Sequence, residues 1–167
     1  VPSQIRIRPA VPADFDAIAR ITRDAYLAAG YFESADHPYM RQIQDVAKRA
    51  AKATIWVAER NGVIVGSVTL AVAGEPYADI ARSDELEFRM LVVDPAVQRS
   101  GAGLAMVSAI LEHGRSLPGI RAVALTTGMT WESAHGLYQK TGFVRVPERD
   151  WLVPDTEIKL LVYRQEL

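Results

Sequence analysis

A chain of 167 residues, 49% apolar and 23% charged, is one globular domain's worth of sequence, long enough to bury a core without disulfides or a structural metal. A net charge of −1 leaves no electrostatic footprint for nucleic acid, and no apolar run approaches the roughly 18 residues that a membrane span needs. The absence of cysteine excludes disulfides, thiolate nucleophiles, acyl-cysteine intermediates and Cys-based zinc sites; His37, His113 and His135 lack metal-ligand spacing, so no metal is expected. The N-terminal segment carries neither a long hydrophobic stretch nor a small-residue cleavage site, and the expectation is a single cytoplasmic domain over residues 1–167. Fifteen Arg against four Lys fits either anion binding or the base composition of the gene, and decides neither.

In chain order, Ile5 and Ile7 alternate with Arg6 and Arg8 as a half-buried strand. Pro12 stands at a first helical position with Asp14 and Asp16 in the first turn, and Ile18, Ile21 and Ala25 form the apolar stripe of a helix that Gly30 stops. A second helix is predicted over Tyr39 to Lys52. Ile55 to Glu59 and Val63 to Leu70 flank Asn61-Gly62, a strong hairpin signal because a type I′ turn needs positive φ at both central positions. After a loop from Gly74 come a strand over Glu85 to Val93 and a helix over Gly101 to Arg115, with Leu104, Val107 and Leu111 on one face. A strand over Arg121 to Thr126 precedes a helix capped by Thr130 and ended by Gly142. Phe143 to Val146 and Ile158 to Tyr163 are the last strands, separated by a loop carrying Trp151.

The segment from Glu85 to Gly103 holds the chemical information. Leu86, Phe88 and Met90 alternate against Glu85, Glu87 and Arg89, and then Leu91 and Val93 turn apolar on the polar register. A one-residue slip in a period-2 pattern is the mark of a β-bulge, which leaves backbone groups unpaired, or of a strand end buried on both faces. Gln98-Arg99-Ser100-Gly101-Ala102-Gly103 then runs straight into the helix. Glycines at a strand-to-helix turn let amides approach an anion, and the helix dipole favours it. A dinucleotide fingerprint would need glycine at Met106, and the Gly-Lys-Ser/Thr of a P-loop is absent. A plain glycine-rich turn remains as the bland alternative.

Gln-x-x-Gly-x-Gly after a strand ending in Val-Asp-Pro resembles the acetyl-CoA-binding motif of the GNAT family of N-acetyltransferases. Ala134 to Phe143 is similar to that family's second signature, Ala-x-x-Leu-Tyr-x-x-x-Gly-Phe, and the predicted element order follows the family over nearly the whole chain. The resemblance implies an α/β fold with a mixed, mostly antiparallel central sheet, helices on both faces, and a splayed, bulged central strand. It implies acetyl-CoA as acyl-donor substrate: Leu91, Val92 and Val93 beside the pantetheine arm, and Gln98, Arg99, Ser100, Gly101, Ala102, Gly103 and Leu104 around the pyrophosphate. One departure is Trp131, where many members carry an Asn that contacts the cofactor.

Acetyl transfer to an amine needs a base, because a primary ammonium has a pKa near ~10.4. Glu87 matches the strand glutamate used by several family members, and Glu85 is the second candidate on the same strand face; a solvated strand face paired with Arg89 is the plain alternative. Tyr138, matching the family's tyrosine, is the expected proton donor to the leaving thiolate, or else a tyrosine packed on the core. Without cysteine, direct transfer in a ternary complex is expected. The acceptor side falls to the loop with Tyr31, Phe32, Glu33, Asp36, His37 and Tyr39, and to residues 74–87, where five carboxylates face only Arg82. That second loop is either an acidic wall for a cationic amine or an ordinary solvated loop. Trp151 either folds over the acceptor or caps the core. The expected activity is transfer to a small-molecule amine acceptor. The alternatives are a protein lysine or N-terminal acetyltransferase and a non-catalytic acyl-CoA sensor. A homodimer is common in such folds, but no interface is legible.

Overall fold

The computed structural model describes residues 4–30, 32, 34–97, 100–128 and 132–167, with residues 132 and 133 described by backbone alone. Strand β1 (Arg6–Pro9) leads through a 3₁₀ turn into helix α1 (Phe15–Ala28), where Ile18, Ile21 and Ala25 form the buried stripe. Gly30, at φ +84°, ends it. The single helix predicted over Tyr39 to Lys52 is two, α2 (Pro38–Gln44) and α3 (Val46–Ala50). Asp45 between them leaves helical space at ψ 76°, and its carboxylate accepts from the Lys48 amide at 3.2 Å. A local Asx cap outcompetes one helical hydrogen bond there. Strands β2 (Thr54–Arg60) and β3 (Val63–Val72) form the expected hairpin, with Asn61 and Gly62 at φ 54° and 78°.

Next come β4 (Glu85–Val93), α4 (Ala102–Ser116), β5 (Ala122–Gly128) and α5 (Glu132–Lys140). The chain closes with β6 (Val144–Arg145), β7 (Trp151–Leu152) and β8 (Lys159–Glu166). The predicted loop around Trp151 thus contains a short strand, which pairs Trp151 with Leu160. The predicted helix cap Thr130 lies outside the described residues.

The strands form one sheet in the order β1-β2-β3-β4-β5-β8-β6, with β7 also on β8. Only β4 and β5 run parallel. One face buries Ile18, Ile21, Met40 and Ile43 of α1 and α2 against Ile55, Val57 and Val92. The other buries Met106, Val107 and Ile110 of α4 against Val65, Leu86, Phe88, Val123 and Leu125. Each such side chain contributes ~1.5–3 kcal/mol relative to exposure. The expected mixed α/β architecture is therefore present.

The predicted slip in β4 is a bulge. Arg89 pairs with Thr69 and Val92 with Ser67, so Met90 and Leu91 stand opposite Val68 alone. Met90 takes φ +54°, uncommon for a side-chain-bearing residue. Phe88 faces α4, Met90 and Val92 face α1, and Leu91 and Val93 return to the α4 side. Beside the bulge, a Cβ on Gly66 would come 2.8 Å from the Val92 carbonyl oxygen and 2.9 Å from Met106 Cε. Only glycine lets β3 lie this close. A second irregularity follows from the first: β4 pairs with β5 only from Glu85 to Phe88, whereas β5 stays bonded to β8 as far as Gly128. Beyond Phe88 the two parallel strands part.

Candidate active site

The parting strands open a narrow cleft through the sheet. Arg89, Met90 and Leu91 form one lip, Thr126, Thr127 and Gly128 the other. Tyr138 and Ala134 of α5 line it from one face, and Tyr26, Phe32 and Tyr39 from the opposite one. Val153, Ile158 and Leu160 close a side. Among the described residues the β5-facing edge of β4 beyond Phe88 has no ladder partner, so its N–H and C=O groups are available to an extended ligand.

Gly101, at φ +85°, turns the chain into α4, and the Ala102 amide reaches Ser100 Oγ at 3.3 Å. The first-turn amides of α4 after Ala102 have no acceptor within the helix and stand at the positive end of a 15-residue helix. This end lies beside the end of β4 and against α5, for a Cβ on Gly103 would meet Leu137 Cδ2 at 3.0 Å and Val93 Cγ2 at 3.9 Å. The start of α4 thus lies beside the end of β4, and of Leu91 to Val93 and Ser100 to Leu104 only Leu91 is among the residues that line the cleft. Gln98, Arg99 and Trp131 lie outside the described residues, as do Tyr31 and Glu33.

Tyr138 is 3% exposed, with Phe88, Phe143 and Tyr163 around its ring at 5.8, 6.0 and 5.8 Å. Burial and the neighbouring Tyr163 raise its hydroxyl above the ordinary phenol range. The neighbouring His135 bonds Tyr163 Oη through Nδ1 at 2.8 Å and the Gly128 carbonyl through Nε2 at 2.9 Å. A carbonyl only accepts, so Nε2 carries the hydrogen and Nδ1 accepts from the tyrosine. His135 therefore pins the last residue of β5 at the cleft lip, a role that the spacing of the second signature does not disclose.

Glu85 and Glu87 are both fully buried, yet their surroundings differ. Arg149 grips Glu85 bidentately at 2.9 and 2.8 Å, Arg164 Nε donates to it at 2.7 Å, and the Arg82 amide at 3.0 Å. Burial alone would raise its pKa; these donors overcome that and hold it at about 2. A carboxylate this acidic takes no proton from an ammonium at neutral pH. Glu87 instead accepts three amides of the preceding loop, Ile80 and Ala81 on Oε1 at 2.9 Å each and Asp79 on Oε2 at 3.2 Å. Burial pushes its pKa up, with those amides opposing. Neither glutamate lines the cleft; Arg89, two residues further along the strand face, does.

Of the two readings of residues 74–87, the acidic wall does not hold at the cleft, which none of those carboxylates lines. Glu75 accepts the Val72 amide at 2.7 Å, Asp79 pairs with Arg89, and Asp84 lines a separate trough beside Arg121. His37 is a helix cap, its Nδ1 accepting from the Tyr39 amide at 3.1 Å. Trp151 sits in β7, half-buried and off the cleft, whereas the following Val153 lines it. Among the described residues, no group of three or more His, Asp or Glu is placed to hold a metal ion. No described helix is long and apolar enough to cross a membrane.

The bulged and splayed central strand, the glycine turn at α4 and the buried tyrosine of α5 agree with the comparison to known families. The chain belongs to the Acetyltransferase (GNAT) family, whose model matches residues 15–143. It is 32% identical over 155 residues to the mycothiol acetyltransferase of Cellulomonas flavigena, an alignment covering 87% of this chain and 42% of that protein. The chain thus spans less than half the length of that relative. Among solved structures, the PaiA N-acetyltransferase of Thermoplasma acidophilum in complex with coenzyme A superposes with a TM-score of 0.76 at 14% identity, covering 98% of this chain and 99% of that one. The putative acetyltransferase YncA of Salmonella typhimurium with its cofactor acetyl-CoA gives 0.68 at 21% identity, covering 98% and 94%. At such identities the two structures speak to the fold.

Proposed function

We propose that this chain transfers an acetyl group from acetyl-CoA to the primary amine of a small molecule, directly and within a ternary complex. The observation that carries the reading is the cleft through the splayed strands, with Tyr138 on one side and an aromatic chamber on the other. The residues present fit the donor. The first-turn amides of α4, from Gly101 to Leu104, suit its pyrophosphate, and the unpaired edge after Phe88 suits its extended arm. When bound, acetyl-CoA supplies the activated acyl group.

The chain's own groups then divide the work. A backbone N–H released by the bulge at Met90 to Val92 donates to the thioester carbonyl oxygen, where negative charge develops. Tyr138, neutral at working pH, donates its proton toward the departing sulfur. Glu87 rather than Glu85 takes the proton of the ammonium through a bridging water, since its Oε2 carries one amide only and its pKa is raised. Tyr26, Phe32 and Tyr39 enclose the acceptor side, which suits a compact amine better than a peptide.

Acetyl-CoA at a hundredfold excess over its dissociation constant is expected to stabilise the protein by ~2.7 kcal/mol, a rise in melting temperature of roughly 5–10 °C, with ATP and NAD as inert controls. CoA release should follow on addition of an amine, and double-reciprocal plots should intersect. No rise at millimolar acetyl-CoA defeats the reading. A rise with no turnover of any amine would leave a sensor, and parallel plots would defeat direct transfer.

A further inference from the structure

The acceptor chamber presents one guanidinium, shared with a carboxylate. Arg89 is the one charged side chain among the described residues that line the cleft. Its contacts to the Tyr77 carbonyl and the Asp79 carboxylate both use Nη1. The Tyr39 hydroxyl, on a lining residue of the acceptor side, is a hydrogen-bond neighbour of the same guanidinium. Behind this wall stands Arg49, 2% exposed, with Nη1 donating to the Ile43 carbonyl at 2.7 Å and Nε without a partner among the described residues. A guanidinium so deeply buried with a donor unmet is costly unless an anion comes near. The tyrosines Tyr26 and Tyr39 stay neutral, because burial raises both hydroxyls, and so offer no negative charge. The carboxylates of residues 75, 79, 85 and 87 are each engaged by a partner within the fold.

Position then narrows the ligand. Arg89 immediately precedes the bulged residues Met90 and Leu91 on one lip of the cleft, and Tyr138 lines the same cleft. A carboxylate at the guanidinium and an amine turned toward the bulge therefore belong to one small molecule. The remainder of the molecule falls among Tyr26, Phe32 and Tyr39, an apolar and aromatic surface.

We propose, resting on the acetyltransferase reading above, that the acceptor is a free α-amino acid with an apolar or aromatic side chain, and that Arg89 is its carboxylate-binding, specificity-determining residue. Asp79 shares the guanidinium and keeps it oriented, while the other edge of the fork binds the substrate.

The test is a set of matched acceptors: L-phenylalanine, L-phenylalaninamide, 2-phenylethylamine, the corresponding methionine pair, and spermidine. Turnover is read as CoA release with the intact chain, beside its melting temperature with acetyl-CoA. The expected result is a kcat/KM at least tenfold higher for the acids than for the amides or the decarboxylated amine. Arg89→Gln should erase that preference mainly through a rise in KM for the acids, and Arg89→Lys should recover part of it. Equal or better turnover of the amides, phenylethylamine or spermidine overturns the proposal without help from any variant. Silence with every amine, while acetyl-CoA still raises the melting temperature, overturns it too and leaves the acetyl-CoA site standing. Silence without such a rise removes both.

Discussion

Glu85 offers the sharpest quantitative test, because its role is worked from geometry alone. Its carboxylate joins Arg149 and Arg164, which are 64 and 79 residues away in the chain. Arg149 also donates to the Ile80 carbonyl at 2.6 Å, so the same cluster fixes the loop whose amides hold Glu87. The pKa falls from an ordinary 4.5 to about 2, and a depressed carboxyl stabilises the fold in its ionised form. Its contribution is therefore complete above about pH 4.5 and is lost as pH falls through 2. At 1.36 kcal/mol per pKa unit, linkage gives a loss of about 1 kcal/mol by pH 3.5 and about 3 kcal/mol by pH 2. Glu85→Gln, which leaves two arginines facing an amide, should cost ~3–5 kcal/mol at pH 7, or roughly 6–15 °C in melting temperature. Urea melts of both proteins at pH 7, 3.5 and 2 check this, and using the difference between them removes the other depressed carboxyls, Asp14 and Asp150. The gap should narrow by those amounts. A gap that stays constant from pH 7 to pH 2 would refute the assignment of Glu85 to the ion cluster.

Tyr138→Phe removes a hydroxyl that bonds no described residue, so kcat should fall by about 10²-fold with melting temperature nearly unchanged. Steady-state kinetics with the best acceptor checks it, and an unaltered kcat would strip Tyr138 of its proton. For Glu87, kcat/KM should decline as pH drops through its raised pKa, and Glu87→Gln should lose that acid limb along with about 10²-fold in rate. A variant whose pH profile keeps the limb would place the base elsewhere. Gly66→Ala drives a methyl against the Val92 carbonyl and should cost ~1–3 kcal/mol in denaturant melts. It should also abolish stabilisation by acetyl-CoA, because the strand that must move is the bulged one.

Much of this was legible before any coordinates. The bulge shows as a phase slip at Leu91 because a period-2 pattern records which side each residue buries, and Leu91 and Val93 do lie on the α4 side. The Asn61-Gly62 hairpin shows because few residues accept two successive positive φ angles. The break at Asp45 does not show, since the apolar periodicity runs on unbroken through Met40, Ile43 and Val46. Strand β7 escapes for a similar reason: two residues are too few to carry a period, and only pairing with Lys159 and Leu160 makes them a strand.

The sequence alone determines most of the local elements, the glycine turn into α4 and the phase slip in β4, because each follows from short-range steric or periodic rules; the tyrosine of α5 is singled out only by the resemblance to a family motif. Electrostatic roles are another matter. Glu85 and Glu87 are indistinguishable on one strand face until distant chain arrives: arginines from after α5 neutralise the first, and loop amides wrap the second. The same folding turns five apparent wall carboxylates inward or aside and leaves Arg89 in the cleft. Only tertiary structure decides this, because the charge that a site presents depends on which partners reach each group, and those partners come from anywhere in the chain.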